Sequence, residues 1–238
     1  VKVCLVGYGK MGKAIESILL SRGHDISGRI SKANADTLVT CLAHSDMAIE
    51  FSRPEKALHH IETAMEHGVP MVCGTTGWVN NLHAVKSMVQ QKNGAFLHAS
   101  NFSVGVQLFF ALNRHLAKLM AFHDEYQCVV TDIHHIHKLD APSGTAITLA
   151  NDIVNIHPKY SDWSLESREH DTLPIHSKRE GEIIGTHLIQ YQSKIDEIQI
   201  LHQAHNRDGF AAGAVLAAEW LLEKKGIYTM QDVLGITS

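Results

Sequence analysis

The 238-residue chain sets 25 acidic against 21 basic residues, a formal charge of −4, with 45% hydrophobic and 19% charged residues. That length can bury a sizeable core in one large or two modest domains without metal or disulfide staples. No overall basic field exists to attract nucleic acid or anionic lipid, so small molecules and further copies of the chain are the expected partners.

No apolar run approaches the about 18 to 20 residues of a membrane span, and the first residues already read as a strand, so a cytoplasmic location is expected. The cysteines Cys4, Cys41, Cys73 and Cys128 are scattered and form no CxxC pair, which suits reduced, buried thiols.

The opening VKVCLVGYGKMGKAIESILLSRG passes from an apolar run at Val1 to Val6, through glycines, to helical spacing at Met11, Ala14, Ile15, Ile18 and Leu19. It reads as strand, turn, helix. Strand-like segments recur at Asp25 to Ile30, Met47 to Phe51, Val69 to Cys73 and Ala95 to Ala99, with helical stretches between several of them. This alternation predicts an α/β domain with a doubly wound parallel sheet.

After NFSVGV the pattern changes. A long helix is expected from about Ser103 to Phe122, with Leu108, Phe109, Leu112, Leu116 and Leu119 forming its apolar face. A strand over Gln127 to Ile133 follows, then a histidine-rich segment, then a helix from Ser143 to Ile156 stopped by His157 and Pro158. Lys159 to Lys178 is polar, carries Pro174 and reads as a surface loop. EIIGTHLIQYQ and DEIQILHQAHN alternate with period two, as neighbouring strands of an open mixed or antiparallel sheet. A last helix is expected over Gly209 to Lys225, with Asp208 as its N-cap, Lys224 and Lys225 in its last turn and Gly226 beyond it. The fold class is thus a doubly wound domain over residues 1–103, completed by 206–238, and a second α+β domain over 104–205.

GYGKMG, Gly7 to Gly12, lies between the first strand and the first helix. Gly7 permits the tight turn, Gly9 lets backbone approach a pyrophosphate, and Gly12 lets helix pack on sheet, while the helix N-terminus attracts negative charge. In this context the motif predicts a Rossmann-like dinucleotide site. An acid at the end of the second strand would favour a ribose hydroxyl and a base a 2′-phosphate. The chain offers Arg29, Ser31 and Lys32, so NADPH is expected to be accepted at least as well as NADH, with Ser31 and Lys32 near the 2′-phosphate.

DIHHIHKLDAPSGTA, Asp132 to Ala146, raises metal first. His135 and His137 would share one strand face while His134 points away, and no HExxH or paired cysteine completes a zinc set locally, so no metal is expected. Proton chemistry fits better. Histidine exchanges a proton near neutral pH, and Lys138 supplies positive charge for an anionic substrate. Ser143 can cap the helix and is expected at the substrate site with Gly144 and Thr145, whose free amides help Lys138 hold a carboxylate.

The chain resembles the 4-hydroxy-tetrahydrodipicolinate (dihydrodipicolinate) reductase family. The resemblance runs through GYGKMG, EFSRPE at 50–55, VCGTTGW at 72–78, ASNFSVGV at 99–106, HHIHKLDAPSGTA at 134–146 and NRDGFAAGA at 206–214. It implies reduction of a cyclic imine dicarboxylate with NADPH or NADH, in the diaminopimelate route to lysine, by a homotetramer whose second domain binds substrate. His134 matches the family's proton donor and Lys138 its second catalytic residue, with His135, Gly144 and Thr145 on the substrate. Gly7, Lys10, Met11 and Gly12 match the phosphate loop, Gly74, Thr75 and Thr76 the nicotinamide side, and Ala99, Ser100, Asn101 and Phe102 the meeting of the domains. Phe51 and Arg53 are expected to line the cofactor cleft. Ser31 and Lys32 stand where the family commonly carries an acid followed by a base.

Another two-domain NAD(P)-dependent oxidoreductase would share the glycine turn but lack the histidine segment. A semialdehyde dehydrogenase would also need an activated cysteine, and a sensing module would bind NAD(P)H beside an inert second domain.

Overall fold

The computed structural model describes residues 1–165, 170–206 and 208–236. The chain divides into two compact units, Val1–Val104 with Asp208–Thr237, and Gly105–Arg207.

In the first unit the strands are β1 (Lys2–Val6), β2 (Asp25–Ile30), β3 (Met47–Glu50), β4 (Met71–Cys73) and β5 (Ala95–His98). The helices between them are α1 (Lys10–Ser21), α2 (Leu38–Leu42), α3 (Pro54–Glu66) and α4 (Leu82–Gln91). The first unit is completed by the last elements of the chain, one helix over Asp208–Leu221, a strand over Gly226–Tyr228 and a helix over Met230–Leu234. Its six strands are parallel, and Gly226–Tyr228 pairs with β5 at the edge.

Alternation along β1 explains the two layers. Val3 and Leu5 join a core with Ile15 and Leu19 of α1, whereas Cys4 and Val6 face Leu42, Ala57 and Val85 of α2, α3 and α4. Strands buried on both faces need continuous apolar runs, as VCLV provides.

In the second unit the elements are α5 (Val104–Met120), β6 (Gln127–His134), α6 (Gly144–Ile156), β7 (Asp162–Ser164), β8 (Thr172–Arg179), β9 (Gly185–Gln192) and β10 (Glu197–Ala204). With these in place, the terminal elements are α7 (Asp208–Leu221), β11 (Gly226–Tyr228) and α8 (Met230–Leu234). The second sheet runs β10-β9-β6-β8-β7, antiparallel on the β9 side of β6 and parallel on the β8 side. Cys128, Val130, Ile175, Ile189 and Tyr191 form a core with Phe109 of α5 and Leu149 of α6.

Several expectations are corrected. The stretch Lys159 to Lys178, of which 166–169 lie outside the described residues, does not read through as a loop: β7 lies in it, most of β8 does too, and Leu173 and Ile175 are fully buried. Pro174 is accommodated inside β8, where its partner is Ser164 of the edge strand β7. Its missing N–H and the polar flanks hide a strand that pairing with β6 and β7 stabilises.

The buried face of α5 is Val106, Phe109, Phe110, Asn113, Ala117 and Met120, and Leu108, Leu112 and Leu119 are exposed. An all-round apolar helix gives no unique stripe, so the packing chose a different one. α7 ends at Leu221, short of Lys224 and Lys225, and Asp208 is its first residue. Gly226, expected past a helix end, instead opens β11 with φ +113°.

Candidate active site

In the first unit, every expected cofactor residue follows the carboxyl end of a parallel strand, so all of them gather along one edge of the sheet, the edge where open α/β sheets bind ligands. Gly7 leaves β1, Gly9 is the N-cap of α1, and Lys10, Met11 and Gly12 form its first turn. Phe51 and Arg53 follow β3, Gly74, Thr75 and Thr76 follow β4, and Ala99, Ser100, Asn101 and Phe102 follow β5.

The glycines have distinct reasons to be glycine. Gly7 has φ +99°, and a Cβ there would lie 2.1 Å from the Phe51 carbonyl oxygen. A Cβ on Gly12 would lie 2.3 Å from the Gly7 carbonyl oxygen, which holds the helix close to the turn. Gly9 faces open space. The first amides of α1 precede its first intrahelical bond, Lys13 N–H to Gly9 at 3.1 Å. Open room beside the amides that open a helix fits a dinucleotide pyrophosphate.

The neighbouring turns brace one another. The Gly74 amide donates to the Glu50 carbonyl at 2.8 Å, the Ser52 amide to Thr75 Oγ1 at 2.8 Å, and the Phe51 and Phe102 rings pack at a tilt with 5.6 Å between centroids.

At the end of β2 the side chains are more engaged than their sequence suggests. Ser31 caps the 3-10 turn Lys32–Thr37 through a reciprocal bond with Asn34, and Lys32 is exposed. Arg29 binds Glu16 of α1, which also accepts from Tyr8 in the glycine turn. Those contacts, Arg29 first, hold the Glu16 carboxyl below its ordinary range.

In the second unit the register of the sheet builds the site. The face of β6 that is apolar at Cys128 and Val130 turns polar at Asp132 and His134. Asp132 stands opposite His187 of β9 and Ser177 of β8. Its Oδ1 accepts from the Ser143 hydroxyl at 2.7 Å, and its Oδ2 accepts from the Ser143 amide at 3.0 Å and the Ser177 hydroxyl at 3.1 Å. His134 Nδ1 lies 3.0 Å from Oδ1, an ion-pair contact that is not aligned as a hydrogen bond. His187 Nε2 is 3.3 Å from the same oxygen, and Arg179 Nη1 is 3.6 Å from Oδ2. Burial pushes the Asp132 carboxyl up, but contacts from His134, His187 and Ser143 outweigh it and hold the group well below the ordinary carboxylate range.

Ser143 is the N-cap of α6, as expected, accepting from the Ala146 amide at 3.2 Å. Gly144 is exposed with open space where a Cβ would stand, and Thr145 is half-buried beside it. Lys138 Nζ sits 2.8 Å from both oxygens of Asp140. His135 is half-buried, past the end of β6. Arg207 lies outside the described residues.

Asp132, His187, Ser177 and Arg179 escaped the sequence reading. Their partners are 45 or so positions apart along the chain for the Asp132–Ser177 pair, and nothing local links them. The signal within reach was Asp132 itself, a charged residue at a buried position of a strand. Asp132, His134 and His187 are also the described group with donor atoms close enough, within 4.8 Å, to hold a metal. Ser143 and Ser177 already donate to that carboxylate, so the grouping fits a hydrogen-bonded proton site.

Three of the four cysteines argue against thiol chemistry. Burial pushes the Cys4 and Cys128 thiols up to about 12 and raises Cys73 as well.

Residues 1–102 match the family model described as dihydrodipicolinate reductase, N-terminus, and residues 105–234 the one described as its C-terminus. The chain is 44% identical over 233 residues to a 4-hydroxy-tetrahydrodipicolinate reductase of Christiangramia forsetii, covering 98% of this chain and 97% of that one. It is 34% identical over 231 residues to the Neisseria meningitidis serogroup A protein of the same name, covering 94% of this chain and 85% of that one. The dihydrodipicolinate reductase of Paenisporosarcina sp. TG-14, solved with dipicolinate bound, shares the fold at TM-score 0.77 and 21% identity, with 98% of each chain covered. Family models that match both units, with relatives aligned along almost the whole chain, place it within a single family: this chain belongs to the dihydrodipicolinate reductases.

Proposed function

We propose that this chain reduces 4-hydroxy-tetrahydrodipicolinate to tetrahydrodipicolinate in the diaminopimelate route to lysine, with His134 as proton donor and Lys138 as the second catalytic residue. The family match along both units carries the reaction. The buried Asp132–His134 contact supports the role of His134.

The nicotinamide of NADPH or NADH, when bound, supplies hydride, and the products are tetrahydrodipicolinate, oxidised cofactor and water. Gly7 and Gly9 shape the turn that receives the pyrophosphate, and the backbone amides of Lys10, Met11 and Gly12 at the start of α1 hold it. Ser31 and Lys32 serve the ribose end, and Phe51, Arg53, Gly74–Thr76 and Ala99–Phe102 the nicotinamide end. In the second unit, Lys138, His135 and the Gly144 and Thr145 amides hold the dicarboxylate, and Ser143 sets the helix start that presents them. Lys138 exchanges Asp140 for a substrate carboxylate, which costs little because an exposed ion pair is worth about 0 to 1 kcal/mol. His134 meets the charge that builds on the substrate by releasing a proton from Nε2, the nitrogen turned away from Asp132. A dicarboxylate site of this kind is in keeping with the dipicolinate bound to the Paenisporosarcina relative.

A homotetramer is part of the proposal. α5 and α6 cover one face of the second sheet, while Ile195 and Leu201 are exposed near its β10 edge and Leu112 and Phe122 in and after α5. Light scattering on the purified chain tests it, and a monomer at micromolar concentration refutes it. Four unpaired cysteines suit a reducing cytoplasm.

The reaction is tested by following NADPH and NADH oxidation at the nicotinamide absorbance, with substrate made in situ from pyruvate and aspartate semialdehyde by the preceding enzyme. Turnover is expected with wild type, and His134→Gln should lower kcat by about 10²- to 10⁴-fold with little change in cofactor KM. Absence of turnover in wild type refutes the assignment.

A further inference from the structure

A carboxylate buried in a sheet is costly unless every lone pair finds a partner, and an apolar side chain of similar volume would fill the site at lower cost. Asp132 is fully buried and stands on the same face of β6 as Cys128 and Val130. What it supplies that an apolar residue could not is negative charge at two places, 3.0 Å from His134 Nδ1 and within hydrogen-bond reach of both Ser143 groups.

We infer that Asp132 is a positioning residue, which turns His134 so that Nδ1 carries a proton inward and Nε2 faces outward, and which ties that ring through Ser143 to the first turn of α6. The inference rests on the reading of His134 as the proton donor. With Nδ1–H against a carboxylate, the proton given to substrate leaves from Nε2, and the charge on the imidazolium before transfer is balanced by Asp132.

Three further features keep the ring in place. His187 stands edge-on to it at 5.2 Å between centroids and points Nε2 at the same Asp132 oxygen. Gly185 leaves room on its far side, since a Cβ there would lie 3.1 Å from His134 Nε2. Ser177 and Arg179, on β8, occupy the other carboxylate oxygen, so Asp132 itself cannot rotate freely. Because Ser143 both caps α6 and donates twice to Asp132, the proton donor and the carboxylate-binding amides of Gly144 and Thr145 share one anchor. Their spacing is then set by the fold before substrate arrives.

In comparable aspartate–histidine pairs the isosteric asparagine preserves shape but selects the wrong tautomer. Asp132→Asn, checked for folding by circular dichroism, should therefore lower kcat by about 100-fold or more, with cofactor KM and NADH binding by fluorescence within about threefold of wild type. A folded variant whose kcat stays within about threefold of wild type overturns the inference. The second measurement needs no change at Asp132. In wild type labelled with ¹⁵N-histidine, signals assigned by comparison with His134→Gln should show neutral His134 protonated at Nδ1, and a proton on Nε2 overturns the inference even if Asp132→Asn fails to fold. Wild type that lacks turnover refutes the reaction and leaves the tautomer to decide the role of Asp132.

Discussion

Glu50 Oε1 and His60 Nδ1 face each other at 3.3 Å inside the first unit, joining the end of β3 to the middle of α3. Glu50 is fully buried, and it also accepts from the Ser52 amide at 3.1 Å, the Ser52 hydroxyl and the Cys73 thiol at 3.2 Å. One carboxylate thereby holds the turns after β3 and β4 that carry Phe51, Arg53 and Gly74 to Thr76.

Burial pushes the Glu50 carboxyl up, yet bonds from His60, Ser52, Thr75 and Cys73 outweigh it and leave the group below its ordinary value of 4.5. A depressed folded value means stability present above the unfolded value and lost as pH falls through the folded one. Glu50→Gln should cost about 3 kcal/mol near neutral pH, as breaking a buried pair does, and the gap to wild type should close as pH drops below 4.5. Urea unfolding of both proteins at a series of pH values measures this, and a gap independent of pH contradicts it.

Gly185→Ala brings a methyl to 3.1 Å from His134 Nε2, tighter than ordinary contact, so the imidazole must shift by a few tenths of an ångström. A misplaced proton donor is expected to lower kcat by about tenfold while NADH binding is unchanged. Steady-state kinetics with both substrates varied checks it.

Gly213→Ala pits two effects against each other. In a helix, alanine is favoured over glycine by about 1 kcal/mol. In α7, however, the new Cβ would lie 1.7 Å from the Phe102 carbonyl oxygen, a backbone atom that cannot swing aside. Overpacking should win, with a net loss of about 1 to 3 kcal/mol and a lowered Tm in calorimetry.

Lys32→Ala removes an exposed charge next to the Ser31 cap without touching the Ser31–Asn34 bonds. An ammonium–phosphate contact in solvent is worth about 1 kcal/mol, so the KM for NADPH should rise about fivefold at low salt and that for NADH should not. An equal change for both cofactors would show that Lys32 does not read the 2′-phosphate.

The first unit was largely legible because its signals are local. VCLV read as a strand buried on both faces, and GYGKMG marked a turn whose glycines the structure requires at Gly7 and Gly12. Ser143 was legible as a cap because an N-cap bonds an amide three residues away. β8 was not, since Pro174 and polar flanks outweighed two buried residues, Leu173 and Ile175, whose burial depends on β6. The buried face of α5 is not legible in the sequence because its apolar residues do not keep to one stripe, and only the sheet beneath decides which side is covered.

The strand and helix alternation of the first hundred residues, the phosphate turn and the segment that holds His134 and Lys138 follow from the sequence by itself, through patterns that span a few residues. The partners of His134 follow from the tertiary structure alone. Strand pairing sets Asp132 beside His187 and Ser177 from β9 and β8, and the start of α6 brings Ser143 to the same carboxylate. A hydrogen bond constrains distance in space and leaves no periodicity in the chain, so the charge that orients the proton donor becomes visible only once the sheet has formed.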